Sequence, residues 1–411
     1  MMYIKQINSS AFYIGIFGCV LLGFAIPTSR PLFNTASLLI IIGWIFSGQF
    51  YLKWQVIKNN PLSWPILGIL LILIVGATYT SAPIKDVIDH WNRYSKFLLV
   101  LMIITMLTEQ RYRRWMWISF LIGCSIVLIS TYLNIFFLLP WSKTKNLGLG
   151  VDHSVFIDYI AQSLVIVLFA VVLWLLALQS NRWQYRLILF MTCLVAVLSV
   201  IFLTASRIGY VIILSISLLV PFLSLSNKRL KFISFIIFAL ILGLLSISDL
   251  SISRIESSMI EMQNYKQGEV FTSTGARIHM WATSFNLWMQ APLLGHGTGA
   301  YHELSKNAFA NELMCQIGCF HPHNQFLFFA VDHGLVGVML LVLYFISACR
   351  IAMKRNLSEK TLFLSFICIV FIDALAHGPL WLFMEAYFSY GIMALLAAGT
   401  SGLFKKNTIE S

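Results

Sequence analysis

An all-α protein that crosses a membrane many times is the fold class this sequence predicts, on three observations. Fifty-nine per cent of its 411 residues are hydrophobic and only 11% are charged, with a mean hydropathy of +0.83, whereas soluble domains carry roughly a quarter charged residues. The apolar residues gather into runs of about 20, the length that crosses the hydrocarbon core as a helix. A single interval between those runs is long enough to hold folded structure of its own.

The runs number about twelve, at roughly 11–27, 32–51, 62–79, 94–108, 115–139, 155–178, 184–204, 208–224, 230–248, 325–349, 361–378 and 381–403. The first lacks a small-residue cleavage site and is followed at once by a second span, so it reads as a retained helix rather than a removed leader. Residues 1–248 then form a membrane domain of nine spans. Residues 249–324 form the one large loop, and 325–411 hold three further spans and a short tail. Basic residues of short loops stay on the cytoplasmic side. Lys5, Lys53, Lys58, Arg111, Arg113, Arg114, Arg182, Arg186, Lys228, Arg229, Lys231, Arg350, Lys354, Arg355, Lys360, Lys405 and Lys406 satisfy this if both termini are cytoplasmic. The large loop then faces the other side. Within it 251–265 and 276–290 read as helices, the second carrying Ile278, Trp281, Phe285 and Trp288 at the spacing of an interfacial helix. Residues 268–275 and 295–299 read as glycine-containing turns.

The net charge of +12 follows from the loop rule and from anionic headgroups, which makes nucleic acid a poor partner. More informative are charged residues with little loop to solvate them. Arg207, in Thr204-Ala205-Ser206-Arg207-Ile208-Gly209, either snorkels to the headgroups or faces a cavity as an anion clamp, since its planar fork can hold two phosphate oxygens at once. Arg277 stands in the expected first turn of a helix whose free amides also attract anions. Two such arginines on one face point to an anionic ligand.

His321-Pro322-His323-Asn324 leads straight into the tenth span. Neutral imidazole is the ordinary general base near neutral pH, and Asn324 suits either a helix cap or a ring-orienting role. Cys315 and Cys319 precede these histidines. Their spacing fits no usual zinc pattern and an oxidising compartment favours a disulfide, followed by free thiols and then by zinc shared with the histidines. Arg93 and Lys96 begin span four on the same side and either extend the anion site or anchor at the headgroups. Asp332, His333, Asp373, His377 and Glu385 are ionisable groups inside or beside spans, which also suits a proton-coupled transporter; no internal repeat or matched pair of broken helices accompanies them.

In order along the chain stand Thr-x-Ser-Arg-x-Gly at 204–209, Gly-x-Arg at 275–277, Gly-x-Gly-x-Gly at 295–299, and His-Asn followed by an acidic-x-Gly-Leu-x-Gly element at 323–337. This set resembles the O-antigen ligase and polymerase superfamily. The resemblance implies a lipid-sugar, GT-C-like glycosyltransferase of the bacterial inner membrane, acting on the periplasmic face. It implies an undecaprenyl-diphosphate-linked glycan donor and no cofactor or metal. Carried onto this sequence, Arg207 and Arg277 bind the diphosphate and stabilise the leaving group, and His323 is the base, with His321 as the competing ring. Ser206, His321, Asn324, Arg93 and Lys96 are the expected substrate contacts. The acceptor expected for a ligase is lipid A-core oligosaccharide; a polymerase extends another lipid-linked glycan, and a protein-glycosylating branch often carries a longer C-terminal region than this chain. A flippase or transporter of the same lipid-linked sugar is the alternative of a different class.

Overall fold

The computed structural model describes residues 2–225, 227–309 and 312–404, all in helices and connecting loops with no strand among them. The helices run α1 (Met2–Thr28), α2 (Arg30–Phe46), α3 (Phe50–Asn59), α4 (Ser63–Tyr79), α5 (Ile84–Tyr94), α6 (Lys96–Met106), α7 (Gln110–Leu133), α8 (Tyr159–Gln179) and α9 (Trp183–Phe202). They continue with α10 (Arg207–Ser224), α11 (Lys228–Leu245), α12 (Asp249–Lys266), α13 (Ser273–Gln290), α14 (Ala300–Ala308), α15 (Glu312–Gly318), α16 (Gln325–Met353), α17 (Leu357–Ala376) and α18 (Phe383–Ala398). Lys405 and Lys406, expected in a cytoplasmic tail, lie outside the described residues, as do the side chains of Lys5, Lys228 and Arg229.

Helices α8 and α18 are apolar all round and buried along most of their length, which makes them the centre of the bundle. Helices α1, α2 and α7 pack on one flank, α9, α10 and α11 on another, and α4, α16 and α17 close the rest. The α1–α2 hairpin is close because Gly15 meets Gly43; a Cβ on Gly43 would stand 2.3 Å from the Gly15 nitrogen. Small residues let helix backbones approach in this way where lipid supplies no hydrophobic drive.

A helix occupies each expected apolar run, but six of the described helices are long and apolar enough to cross a membrane, or up to eight if each bent pair is one span. The expectation of twelve therefore exceeds what length and composition support. The physical reason is division: α2 bends by 116° into α3, the fourth run is the 11-residue α6 behind the amphipathic α5, and α18 has 16 residues.

The glycine run at 295–299 is more than a turn. Helix α16 breaks at Gly334 (φ 60°, ψ −157°), and the run lies along the break. His296 N donates to Val331 O (2.9 Å), Gly297 N to Asp332 O (2.8 Å) and Leu335 N to Pro292 O (2.9 Å). Backbone groups released by the break thus find partners inside the bundle, as they must away from water. A Cβ on Gly334 would stand 2.3 Å from Leu293 O, so only glycine fits.

Candidate active site

Thr204 to Gly209 turns the chain from α9 into α10. Ser206 caps α10, accepting from Gly209 N at 3.0 Å and from the Ser163 hydroxyl at 3.0 Å. Expected as a substrate contact, it is fully buried and its oxygen serves the cap of α10. Gly209 lies against Ser163 of α8, where a Cβ would meet the side chain at 2.7 Å. Small residues here let α10 lie close to α8 and carry Arg207 out of the bundle.

Every donor of the Arg207 guanidinium is engaged. Its Nε donates to Arg254 O (3.1 Å), Nη1 to Glu261 Oε2 and Thr274 Oγ1 (both 3.2 Å), and Nη2 to Ser257 Oγ (2.8 Å) and Glu261 Oε1 (3.2 Å). A guanidinium has five N–H bonds to give, so an arriving anion has to replace existing partners. The Glu261 carboxylate also accepts from Thr274 N (2.9 Å) and its hydroxyl (2.6 Å). It thereby occupies the anion position formed by an arginine fork and a helix N-terminus. Burial pushes the Glu261 pKa up, but hydrogen bonds from Arg207 and Thr274 outweigh it and hold the group below its ordinary value.

Helix α13 begins at Ser273 behind its Thr272 cap, three residues before the expected start. Arg277 therefore sits in the second turn, and the amides expected to attract a ligand are served by Glu261 and Thr272. Arg277 itself makes no hydrogen bond to a described residue. It lines a small cavity of about 30 Å³ with Arg207, Arg254, Tyr159, Ala205 and Ser273. Arg254, which no motif singled out, is the third arginine of this cavity; its guanidinium lies 6.0 Å over the Tyr159 ring and makes no ion pair with a described residue.

His323 stands beyond Arg277, just before α16. It is left-handed at φ 52°, a conformation that histidine tolerates better than most residues but that needs support. His321 supplies it: its Nδ1 accepts from His323 N at 2.8 Å, which places the neutral ring's proton on Nε2. Asn324 caps α16, accepting from Phe326 N and Leu327 N at 3.0 Å and donating to Leu375 O at 2.8 Å. Burial first, then the charges of His377 and Arg277, bring the His323 pKa down to about 3, so the ring is neutral at ordinary pH. Its Nδ1 is buried without a hydrogen-bond partner among the described residues. His321 is held neutral by burial and by the surrounding cationic groups.

Behind His323 lies His377, ring to ring at 5.1 Å. The His377 Nδ1 is 3.3 Å from Glu385 Oε1 and 3.9 Å from Asp373 Oδ1, and both Asp373 oxygens are buried without hydrogen-bond partners among the described residues. Asp332 serves elsewhere, taking His90 Nε2 at 2.9 Å and capping α14 through Tyr301 N at 2.8 Å.

Arg93 and Lys96 do not extend the Arg207 cavity. Arg93 pairs with Asp89 at 2.9 Å and lies over the Trp381 ring at 4.3 Å; Lys96 donates to Arg93 O at 3.2 Å and lies 5.7 Å over Tyr387. Cys315 and Cys319 are joined as a disulfide, so neither is a free thiolate ligand. Cys319 packs with Ala276, Met280, Phe309 and Met314 in a small core of its own, which ties the histidine loop to α13.

An uncharacterized protein of Haemophilus influenzae is 33% identical over 101 residues, which cover 24% of this chain and 25% of that protein. This chain thus matches only a quarter of that relative's length. Residues 192–342 match the family model described as O-antigen ligase, a segment that holds Arg207, Arg254, Arg277, His321 and His323. That segment, less than half of the chain, is what is similar to the O-antigen ligase family.

Proposed function

We propose that the protein transfers a glycan from undecaprenyl diphosphate to an acceptor hydroxyl on the periplasmic face of the inner membrane, with both termini cytoplasmic. The observation that carries this reading is the placement of a neutral, buried His323 next to Arg277 and a three-arginine cavity. Arg277, with Arg207 once it exchanges Glu261, receives the diphosphate. His323 takes the proton of the acceptor hydroxyl, the oxygen attacks the anomeric carbon, and the bond to the diphosphate oxygen breaks with its electron pair. Inversion at that carbon follows, and the arginines stabilise the charge that develops on the leaving group. An arriving diphosphate opposes the charge of Arg277 and so raises the basicity of His323.

An apolar cavity of about 360 Å³ supports the same reading. It lies between α8, α9, α10 and α11 and includes Ile166, Val200, Ile213 and Ile241. The arginine cavity involves Ile160 of α8 and Ile208 of α10, so the apolar space begins five or six residues deeper along both helices, about 8 Å at the helical rise. A polyprenyl tail under its diphosphate has that arrangement.

Lipid A-core is the acceptor we assign. The test uses purified protein in detergent with EDTA, synthetic undecaprenyl-diphosphate glycan and lipid A-core, and no ion gradient. Glycosylated lipid A-core is the expected product. Elongation of the lipid-linked donor alone identifies a polymerase, and absence of covalent transfer favours a transporter.

A further inference from the structure

A second basic group lies near the histidines and shares no residue with the lining of the arginine cavity. Arg30, at the start of α2, has its guanidinium carbon 3.7 Å from the centre of the Phe383 ring, and that of Arg93 is 4.7 Å from the same centre. The two cations therefore share one ring. Lys96 stands one helical turn beyond Arg93 on the Tyr387 ring. Asp89, half-exposed, is the one carboxylate paired with this group among the described residues, and it pairs with Arg93. Three cations facing one anion, held on aromatic faces, repel one another and attract a further anion.

The ledge is joined to the candidate base. Trp381, beneath Arg93, stacks toward His321 at 6.3 Å between ring centres, and His321 is 5.8 Å from His323. An inverting transfer places the acceptor hydroxyl between the base and the anomeric carbon, so the acceptor needs a site of its own beside the base, and the arginine cavity accounts only for the donor. We propose that Arg30, Arg93 and Lys96 on the Trp381–Phe383–Tyr387 ledge bind anionic groups, phosphate or carboxylate, of the acceptor glycan. This rests on the transfer reaction proposed above and adds the acceptor's charge to it. Aromatic faces suit the apolar side of sugar rings while the cations take the charges. Phosphate chemistry is also that of bilayer headgroups, so the test separates the two sources.

The experiment measures transfer kinetics of purified protein in zwitterionic nanodiscs, with lipid A-core or the same acceptor freed of its phosphates by hydrofluoric acid. Parent, Arg30→Ala, Arg93→Ala and Arg93→Lys are compared. The expected result for Arg30→Ala and Arg93→Ala is an acceptor KM raised about tenfold, with donor KM and kcat little changed and Arg93→Lys between. The parent's KM for the dephosphorylated acceptor rises by a similar factor, and the variants no longer differ from it there. Equal KM for variant and parent on intact acceptor overturns the proposal. So does a loss that is the same on both acceptors, or one abolished by adding phosphatidylglycerol to the discs, which makes the ledge a headgroup anchor. If the parent transfers to neither acceptor, the reaction itself is wrong and the ledge falls with it.

Discussion

In the proposed reaction His323 is the neutral base and the three arginines form the charged cradle. His323→Ala is expected to lower kcat by about 10²- to 10⁴-fold, the usual contribution of a positioned base, with donor KM little changed. His321→Ala acts through the backbone it holds, so we expect a smaller loss and a shifted pH profile. The His323 pKa of about 3 lies below the ordinary 6.5, so between these values the unfolded chain binds a proton that the folded protein does not. Its stability contribution is present above about pH 6.5 and is lost as pH falls toward 3; thermal unfolding of the purified protein from pH 7 to 4 tests the sign against His323→Ala. Arg207 and His323 can be singled out in the sequence because each stands in a short motif. Glu261 and Arg254 cannot, because their meaning lies in the partners of Arg207, which are brought from about 50 residues further along the chain. Ser206 illustrates the converse: a motif serine next to an arginine suits a ligand contact or a cap equally well, and the capping role shows only in the fold.

Helix α12 carries Glu261 into the anion position, and its junction with α11 is bent by 80°. The arginine cavity has room for about one water molecule at about 30 Å³, so a diphosphate enters only if this helix yields. Glu261→Gln removes the internal competitor while keeping its shape. We expect donor KM to fall by about tenfold, the worth of a charge-assisted hydrogen bond; a rise in KM marks Glu261 as a brace instead. The disulfide of Cys315 and Cys319 fixes the small core between α13 and the histidine loop. Its short loop is worth about 2 kcal/mol on chain entropy, so Cys319→Ser is expected to lower the unfolding temperature and kcat together. Of the four loop helices, α12 and α13 were legible in the sequence and the short α14 and α15 were not. The glycine run at 295–299 was read as a turn because its partner, the break in α16, is a tertiary feature that no local pattern announces.

At the scale of the whole molecule, composition alone identified a multi-pass helical protein, and the order of short motifs pointed to the family whose model matches residues 192–342. The count of spans was less legible, because hydropathy does not distinguish one straight crossing from a bent pair or a short buried helix such as α6. What the bundle achieves is the meeting of segments far apart in sequence: α10, α12 and α13 around the arginines, and the α16 entry and α18 start around the histidines and the ledge. Gly334→Ala tests that dependence on the fold. Its Cβ would drive into the Leu293 carbonyl, and we expect poor accumulation of folded protein, measured by size-exclusion profile in detergent. The most direct measurement of the central claim compares parent and His323→Ala for two readouts, binding of undecaprenyl diphosphate and single-turnover glycan transfer with EDTA present. The account predicts equal binding and transfer by the parent alone. Transfer by His323→Ala at the parent's rate, with binding intact, would contradict it.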